Sequence, residues 1–220
     1  MNNARNAYTK RLKEVELYFD TLKLLDKGIC SIKCVDLLGH EEKREIDLEL
    51  LTILKANGFL LLYNLIEATI RNSIDAVLAS IHSSHATFRT LSDNLKKIWI
   101  NQESKNTNHE KIMQIAETVL KNEMLKFEKD CINISGNIDA KRIREILRQF
   151  GGNEISNGRD LQTIKDKRNK LAHGEFTFSE IGQDCTMKDL ILYKQETEEY
   201  LSSVLDEIQD YIDNKKYLNK

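Results

Sequence analysis

The sequence predicts an all-α fold, a bundle of long antiparallel helices, from three observations. Proline is absent from all 220 residues and only nine glycines are present. Helices can therefore run long without their commonest breakers, whereas a sheet-rich fold would need more turn residues. Apolar residues recur at steps of three and four over long stretches, the spacing of a buried helix face. Hydrophobic residues make up 40% of the chain and charged residues 31%, enough for one packed core. We expect a single domain over residues 1–220.

The elements follow in order. A first helix is expected over about Ala4 to Leu25, rich in Leu, Val and aromatic residues. Gly28 to Gly39 reads as a connection with a short extended piece at Ile29–Val35, and a long helix then runs from about Glu42 to Ile81. Further helices are expected over Phe88–Asn101 and His109–Phe127, with a short break at Cys131–Gly136. Asp139–Phe150 is a compact amphipathic helix with Ile143, Ile146, Leu147 and Phe150 on one face, ended by Gly151-Gly152. Another helix covers about Asp160–His173. The last, Lys188 to Tyr217, carries a stripe of Ile191, Tyr200, Leu201, Val204, Leu205, Ile208 and Ile212. No internal repeat, low-complexity tract or linker interrupts this order.

Net charge is −2, which excludes a globally basic nucleic-acid coat protein. The distribution is uneven. Lys141 to Lys170 carries nine Lys/Arg against four acids, while Glu175 to the end carries eleven acids against five bases. A local basic patch can bind phosphates, and solvated helix faces of uneven charge give the same counts. Cys30, Cys34, Cys131 and Cys185 form no CxxC pair, which fits small buried thiols in a reducing cytoplasm better than a zinc site. The longest apolar run, Phe59 to Tyr63, falls far short of the 18 or so residues of a membrane span, and no basic-then-apolar leader opens the chain. The expectation is a cytoplasmic protein with no membrane partner.

The most informative residues are Arg168-Asn169-Lys170-Leu171-Ala172-His173, which end a helical pattern at Gly174. An arginine, an amide and a histidine within two turns are the side chains needed to cut RNA without a metal. Arginine holds phosphate in fork geometry, and histidine moves protons near neutral pH. Leu161, Ile164, Arg168 and Leu171 share one stripe, so the arginine stands where an apolar residue is expected. Arg168 and His173 differ by about 140° around a helix and about 7.5 Å along it. Two copies facing each other would surround a phosphate better than one, which points to a symmetric dimer with the site at its interface. The long second helix carries a comparable anomaly. Leu50, Ile53, Asn57, Leu60, Asn64, Glu67, Arg71, Ile74 and Leu78 share a face on which four polar residues interrupt an apolar stripe. Glu67 and Arg71 stand at salt-bridge spacing. Either the pair fixes helix register, or this face lines the site and orients His173 or Arg168. The remaining histidines, His40, His82, His85 and His109, have no companion pattern. No metal site is expected, and no cofactor either, since neither a P-loop nor a GxGxxG is present.

Arg-x4-His with Asn after the arginine matches the signature of the HEPN superfamily of all-α domains. The segment from Leu161 through Arg168, Asn169, His173 and Gly174 to Gly182 resembles the motif region of the bacterial MAE-type HEPN nucleases. Ser135 to Ala140 and Tyr63 to Thr69 are similar to that family's earlier segments. The resemblance covers about Asp47 to Leu218, and nothing is carried to residues 1–46. It implies a helical domain that homodimerises and acts as a metal-independent endoribonuclease. His173 would be the general base or acid on the 2′-hydroxyl or the leaving 5′-oxygen. Arg168 would neutralise the scissile phosphate, and Asn169 would orient the phosphate or the imidazole. The expected products carry 2′,3′-cyclic phosphate and 5′-hydroxyl ends, and DNA is spared for want of the attacking hydroxyl.

Elementary chemistry assigns the same roles. A histidine with a reference pKa of about 6.5 suits proton transfer at neutral pH, and the last helical turn favours the imidazolium. A bidentate arginine stabilises charge building on phosphoryl oxygens. Glu67, Asn64 and Arg71 are assigned as supports behind the site, and Lys165, Lys167 and Lys170 as contacts to the RNA backbone. Two other readings stand beside the nuclease. One is a non-catalytic RNA-binding or dimerisation module. The other is a toxin or phage-defence effector governed by an operon partner, such as an antitoxin or a nucleotidyltransferase.

Overall fold

The computed structural model describes residues 1–105, 107–134 and 136–219. Ser135, part of the segment that carries the resemblance, lies outside them. Among the described residues are eight helices and one two-stranded sheet, so the all-α expectation holds with a small exception. Helix α1 covers Asn2–Leu25 and buries Val15, Phe19 and Leu22.

The exception corrects the start of the long helix. The helix-forming run Glu41–Glu45 is strand β2, paired antiparallel with β1 (Ser31–Val35), with Val35 opposite Glu41 and Lys33 opposite Lys43. The turn between them decides this. The Asp36 carboxylate accepts the N–H groups of Leu38 and His40, each at 2.8 Å, and Gly39 reverses the chain at φ +84°. Pairing across that turn overrides local helix propensity. Helix α2 then begins at Leu48 and runs to Ser83, and the carboxylate of Asp47, just before it, accepts the Leu50 N–H at 2.8 Å.

The buried arc of α2 is also rotated from the expected stripe. Ala56, Phe59, Tyr63, Ile66, Ile70, Ile74, Val77 and Ile81 are buried. Asn64 and Arg71 are exposed, while Ile53, Asn57, Leu60 and Glu67 are half-buried. The polar residues thus interrupt no core stripe; they ride on its flank. Taken whole, α2 is long and apolar enough to cross a membrane, which the run-length reading had not anticipated. Phe59, Leu62, Tyr63, Ile66 and Val77 on it are nevertheless fully buried among protein side chains.

The remaining helices are α3 (Asp93–Glu103), α4 (His109–Leu120), α5 (Ala140–Phe150), α6 (Asp160–Ala172), α7 (Phe178–Gln183) and α8 (Met187–Asp213). Three expected boundaries shift. Residues 87–92 turn instead of opening α3, because Thr90 Oγ1 accepts the Thr87 N–H and Tyr217 O accepts the Ser92 N–H. Helix α4 stops at Leu120, since Asn122 takes φ +54° and Leu125 donates to Ala86 O. Helix α8 ends before Lys215, which is at φ +49°, and Leu218 then bridges to Leu91. Helix α7 had no counterpart in the sequence reading.

Contacts group the chain into two compact units, each drawn from distant segments. One comprises Thr9–Ile66 and Gly158–Glu198, and contains α6, α7 and the hairpin. Its core includes Phe19, Leu22, Phe59, Tyr63, Leu161, Ile164, Ile181 and Leu190. Gly58 lets α2 and α8 approach, as a Cβ there would stand 3.1 Å from Leu190. The other comprises Met1–Tyr8, Glu67–Asn157 and Glu199–Lys220. There Asp139 caps α5 through the Arg142 N–H at 2.8 Å, and the four apolar residues expected on that helix are all buried. Tyr211 donates to Phe150 O at 2.9 Å while its ring meets Phe150 edge-on.

Candidate active site

Helix α6 starts without a side-chain cap of its own, its cap position being Arg159 in helical conformation. A carboxylate oxygen of Glu196, on α8, accepts the Asp160 N–H at 3.3 Å and serves that end instead. Leu161 and Ile164 are fully buried and fix the helix by its apolar stripe. The next member of that stripe is Arg168, and the structure shows why an arginine is accommodated there. Its guanidinium carbon lies 4.4 Å from the ring centroid of the fully buried Tyr63 on α2. Arginine stacks by its flat face, so the aromatic ring takes the place of an apolar partner while the N–H edge makes polar contacts. One of those donors, Nη1, reaches Asn169 Oδ1 at 2.9 Å. Asn169 thus holds the guanidinium, a contact the sequence did not announce beside the expected role of orienting the phosphate or the imidazole.

His173 is the C-cap of α6, and its N–H is donated to Asn169 O at 2.9 Å. Gly174 follows at φ +67°, and nothing would meet a Cβ there, so glycine is required for the backbone angle alone. Glu175 donates back to Lys170 O at 3.0 Å, closing the turn. The imidazole of His173 is exposed and takes no hydrogen bond among the described residues. Beyond the turn, Thr177 and Glu180 form a reciprocal capping box at the start of α7. Gly182 on α7 packs on α2 so closely that a Cβ would stand 1.9 Å from Thr52 O. Lys167 bonds to Asp184 at 2.9 Å, tying α6 to the residue that ends α7. The histidine turn is thus pinned on both sides.

The other expected site residues divide. Asn64 is exposed on α2, one residue from Tyr63 and in the same unit as the motif. Glu67 and Arg71 pair with each other at 2.9 Å and belong to the other unit. Lys167 is only 17% exposed and is engaged by Asp184. The Lys170 ammonium stands 4.6 Å from the ring centroid of Phe176, and Lys165 is half-buried. Tyr63, Glu196, Asp184 and Gly182 went unassigned in the sequence. The Thr177-x-x-Glu180 pattern could have announced α7, whereas nothing local announces that Tyr63 lies under Arg168.

Charge states around the turn follow from these contacts. The Lys167 ammonium hydrogen-bonded to Asp184 holds that carboxyl below the usual range. The Thr177 N–H and hydroxyl do the same for Glu180. Glu196 is shifted the other way, first by burial and then by the neighbouring Asp160 carboxyl. Of the four cysteines expected to be buried only Cys185 is, and burial pushes its thiol up to about 11; Cys34 is exposed on the hairpin, and Cys30 and Cys131 are half-buried. Among the described residues no three His, Cys, Asp or Glu side chains converge as a metal-binding group.

A family model described as HEPN_MAE_28990-like HEPN matches residues 2–217, which carries the likeness through the first 46 residues as well. No curated protein and no solved structure matches the chain.

Proposed function

The chain belongs to the MAE_28990-like HEPN family, whose superfamily is generally ribonucleolytic, and we propose that it is a metal-independent endoribonuclease working through Arg168, Asn169 and His173. The observation that carries this reading is the motif turn: an exposed imidazole on a glycine-terminated helix end, five residues after a guanidinium stacked on Tyr63. In the reaction the RNA 2′-oxygen attacks phosphorus, and the bond from phosphorus to the 5′-oxygen breaks. Neutral His173 accepts the 2′-hydroxyl proton, or imidazolium His173 gives a proton to the departing 5′-oxygen. Arg168 meets the charge that gathers on the non-bridging oxygens, its plane held by the Tyr63 ring and Asn169 Oδ1. The products are a 2′,3′-cyclic phosphate and a 5′-hydroxyl.

One imidazole cannot be neutral base and charged acid in the same step. A homodimer presenting two motif turns supplies both, and the exposure of His173 favours that arrangement. We place the activity in a cytoplasmic toxin or phage-defence effector, restrained by an operon partner. Induced expression tests this: the wild type should arrest growth and His173→Ala should not. The enzyme reading is tested by incubating purified wild type and His173→Ala with RNA and with DNA in excess EDTA. Wild-type cleavage of RNA alone, lost in the variant, supports it; equal cutting by both removes His173 from the site.

A further inference from the structure

The chain holds fifteen aromatic side chains, seven Phe, seven Tyr and one Trp. All lie among the described residues, and fourteen are buried or half-buried. Phe176 is the exception, at 42% exposure, and it stands three residues after His173 in the turn joining α6 to α7. This is no frayed loop. The Phe176 N–H reaches Lys170 O at 3.4 Å, Gly174 sets the turn at φ +67°, and the capping box at Thr177 fixes the far end. The Lys170 ammonium lies 4.6 Å from the ring centroid and occupies one face. What sets this ring apart is its place: one face carries the Lys170 ammonium, and the exposed remainder stands in the motif turn, three residues from His173, where a base and its adjoining phosphate would meet aromatic ring and cation together.

We infer that Phe176 is a base-stacking platform: it receives a nucleobase of single-stranded RNA next to the scissile phosphate, while Lys170 meets the adjoining phosphate. This rests on the ribonuclease reading and names the side chain that would receive a base of its substrate. An unpaired base has two open π-faces, whereas a base inside a duplex has none, so a platform of this kind selects single-stranded segments. Stacking tolerates any base, and it acts on binding, leaving the proton transfers to His173.

The test uses the full chain with Phe176→Trp. The native Trp99 is buried at 4% exposure, so the introduced indole reports on the turn. The probe is a mixed-sequence single-stranded RNA of about twelve nucleotides, 2′-O-methylated throughout so that it binds without being cut. The expected result is quenching of the indole emission of Phe176→Trp on titration, with little change in the wild type. By anisotropy, Phe176→Ala and Phe176→Leu should bind about tenfold more weakly, and Phe176→Tyr should bind like the wild type. Melting temperatures within a degree or two of the parent are expected, as the ring is exposed. If the probe binds but Phe176→Ala binds it as tightly as the parent, the platform is wrong and the ribonuclease reading stands. If Phe176→Ala loses self-association in sedimentation, the ring is a protein contact and the inference falls. A wild type that neither binds nor cuts RNA overturns both readings together.

Discussion

The sharpest structural prediction concerns Gly182, where α7 meets the start of α2. A Cβ built there lies 1.9 Å from Thr52 O, 2.6 Å from Thr52 C and 2.9 Å from its Cα. Ordinary contact begins at 3.4 Å, so the shortest of these is deficient by 3.4 − 1.9 = 1.5 Å. The atoms in the way are backbone, and no rotamer change can relieve them. Either α7 backs away from α2 or the first turns of α2 deform. Overpacking of this kind costs up to about 3 kcal/mol. In a chain of this length that lowers the melting temperature by about 10 °C. Gly182→Ala should show this by circular dichroism at 222 nm. It should also lose RNA cleavage at temperatures where the protein remains folded, because α7 anchors the far side of the histidine turn. Gly58→Ala is the control: its nearest neighbour is Leu190 Cδ2 at 3.1 Å, a side-chain methyl that can shift, so less than about 1 kcal/mol is expected. If Gly182→Ala melts within two degrees or so of the parent, the packing of α7 on α2 described above is wrong.

Gly174→Ala meets no atom but forces φ +67° on a residue with a Cβ, at a cost of about 1 kcal/mol; a modest fall in melting temperature should accompany a disproportionate fall in cleavage rate. Arg168→Lys keeps the charge but loses the flat fork that stacks on Tyr63, and kcat/KM should drop ~10- to 100-fold with the fold intact in the melting curve. Glu196 bears on pH. Its carboxyl binds a proton more tightly in the folded chain than in the unfolded one, so its contribution to stability is greatest at low pH. That contribution declines as pH rises from the ordinary glutamate range through the raised folded value. Glu196→Gln retains an oxygen for the Asp160 N–H and should flatten that decline in melting curves taken between about pH 4 and 8.

Much of this was legible in the sequence because it is local. The motif helix and its histidine C-cap follow from apolar spacing and Gly174, and α5 follows from Asp139, one apolar face and Gly151. What escaped depends on contacts far apart in the chain. The Glu41–Glu45 run has helical composition and became a strand because Asp36 and Gly39 brought it against Ser31–Val35. The polar residues of α2 interrupt an apolar stripe in the sequence yet ride on the flank of the buried arc, since a three-four spacing defines a face but not which face turns inward. For the same reason the spacing marks Arg168 as anomalous without naming its partner: Tyr63 lies 105 residues away, and only the fold brings ring and guanidinium together. The exposed Phe176 likewise had no signature, because exposure is a property of packing.

The measurement that bears most directly on the central claim uses two RNA oligonucleotides, identical except that one lacks the 2′-hydroxyl at the mapped cleavage position. Both are incubated in excess EDTA with wild type and with His173→Ala, and the ends are read by mass spectrometry. The wild type should cut only the all-ribose strand, leaving a 2′,3′-cyclic phosphate and a 5′-hydroxyl, and His173→Ala should cut neither. Cleavage of the deoxy-substituted strand at the same bond, or products with a 3′-hydroxyl and a 5′-phosphate, would contradict it.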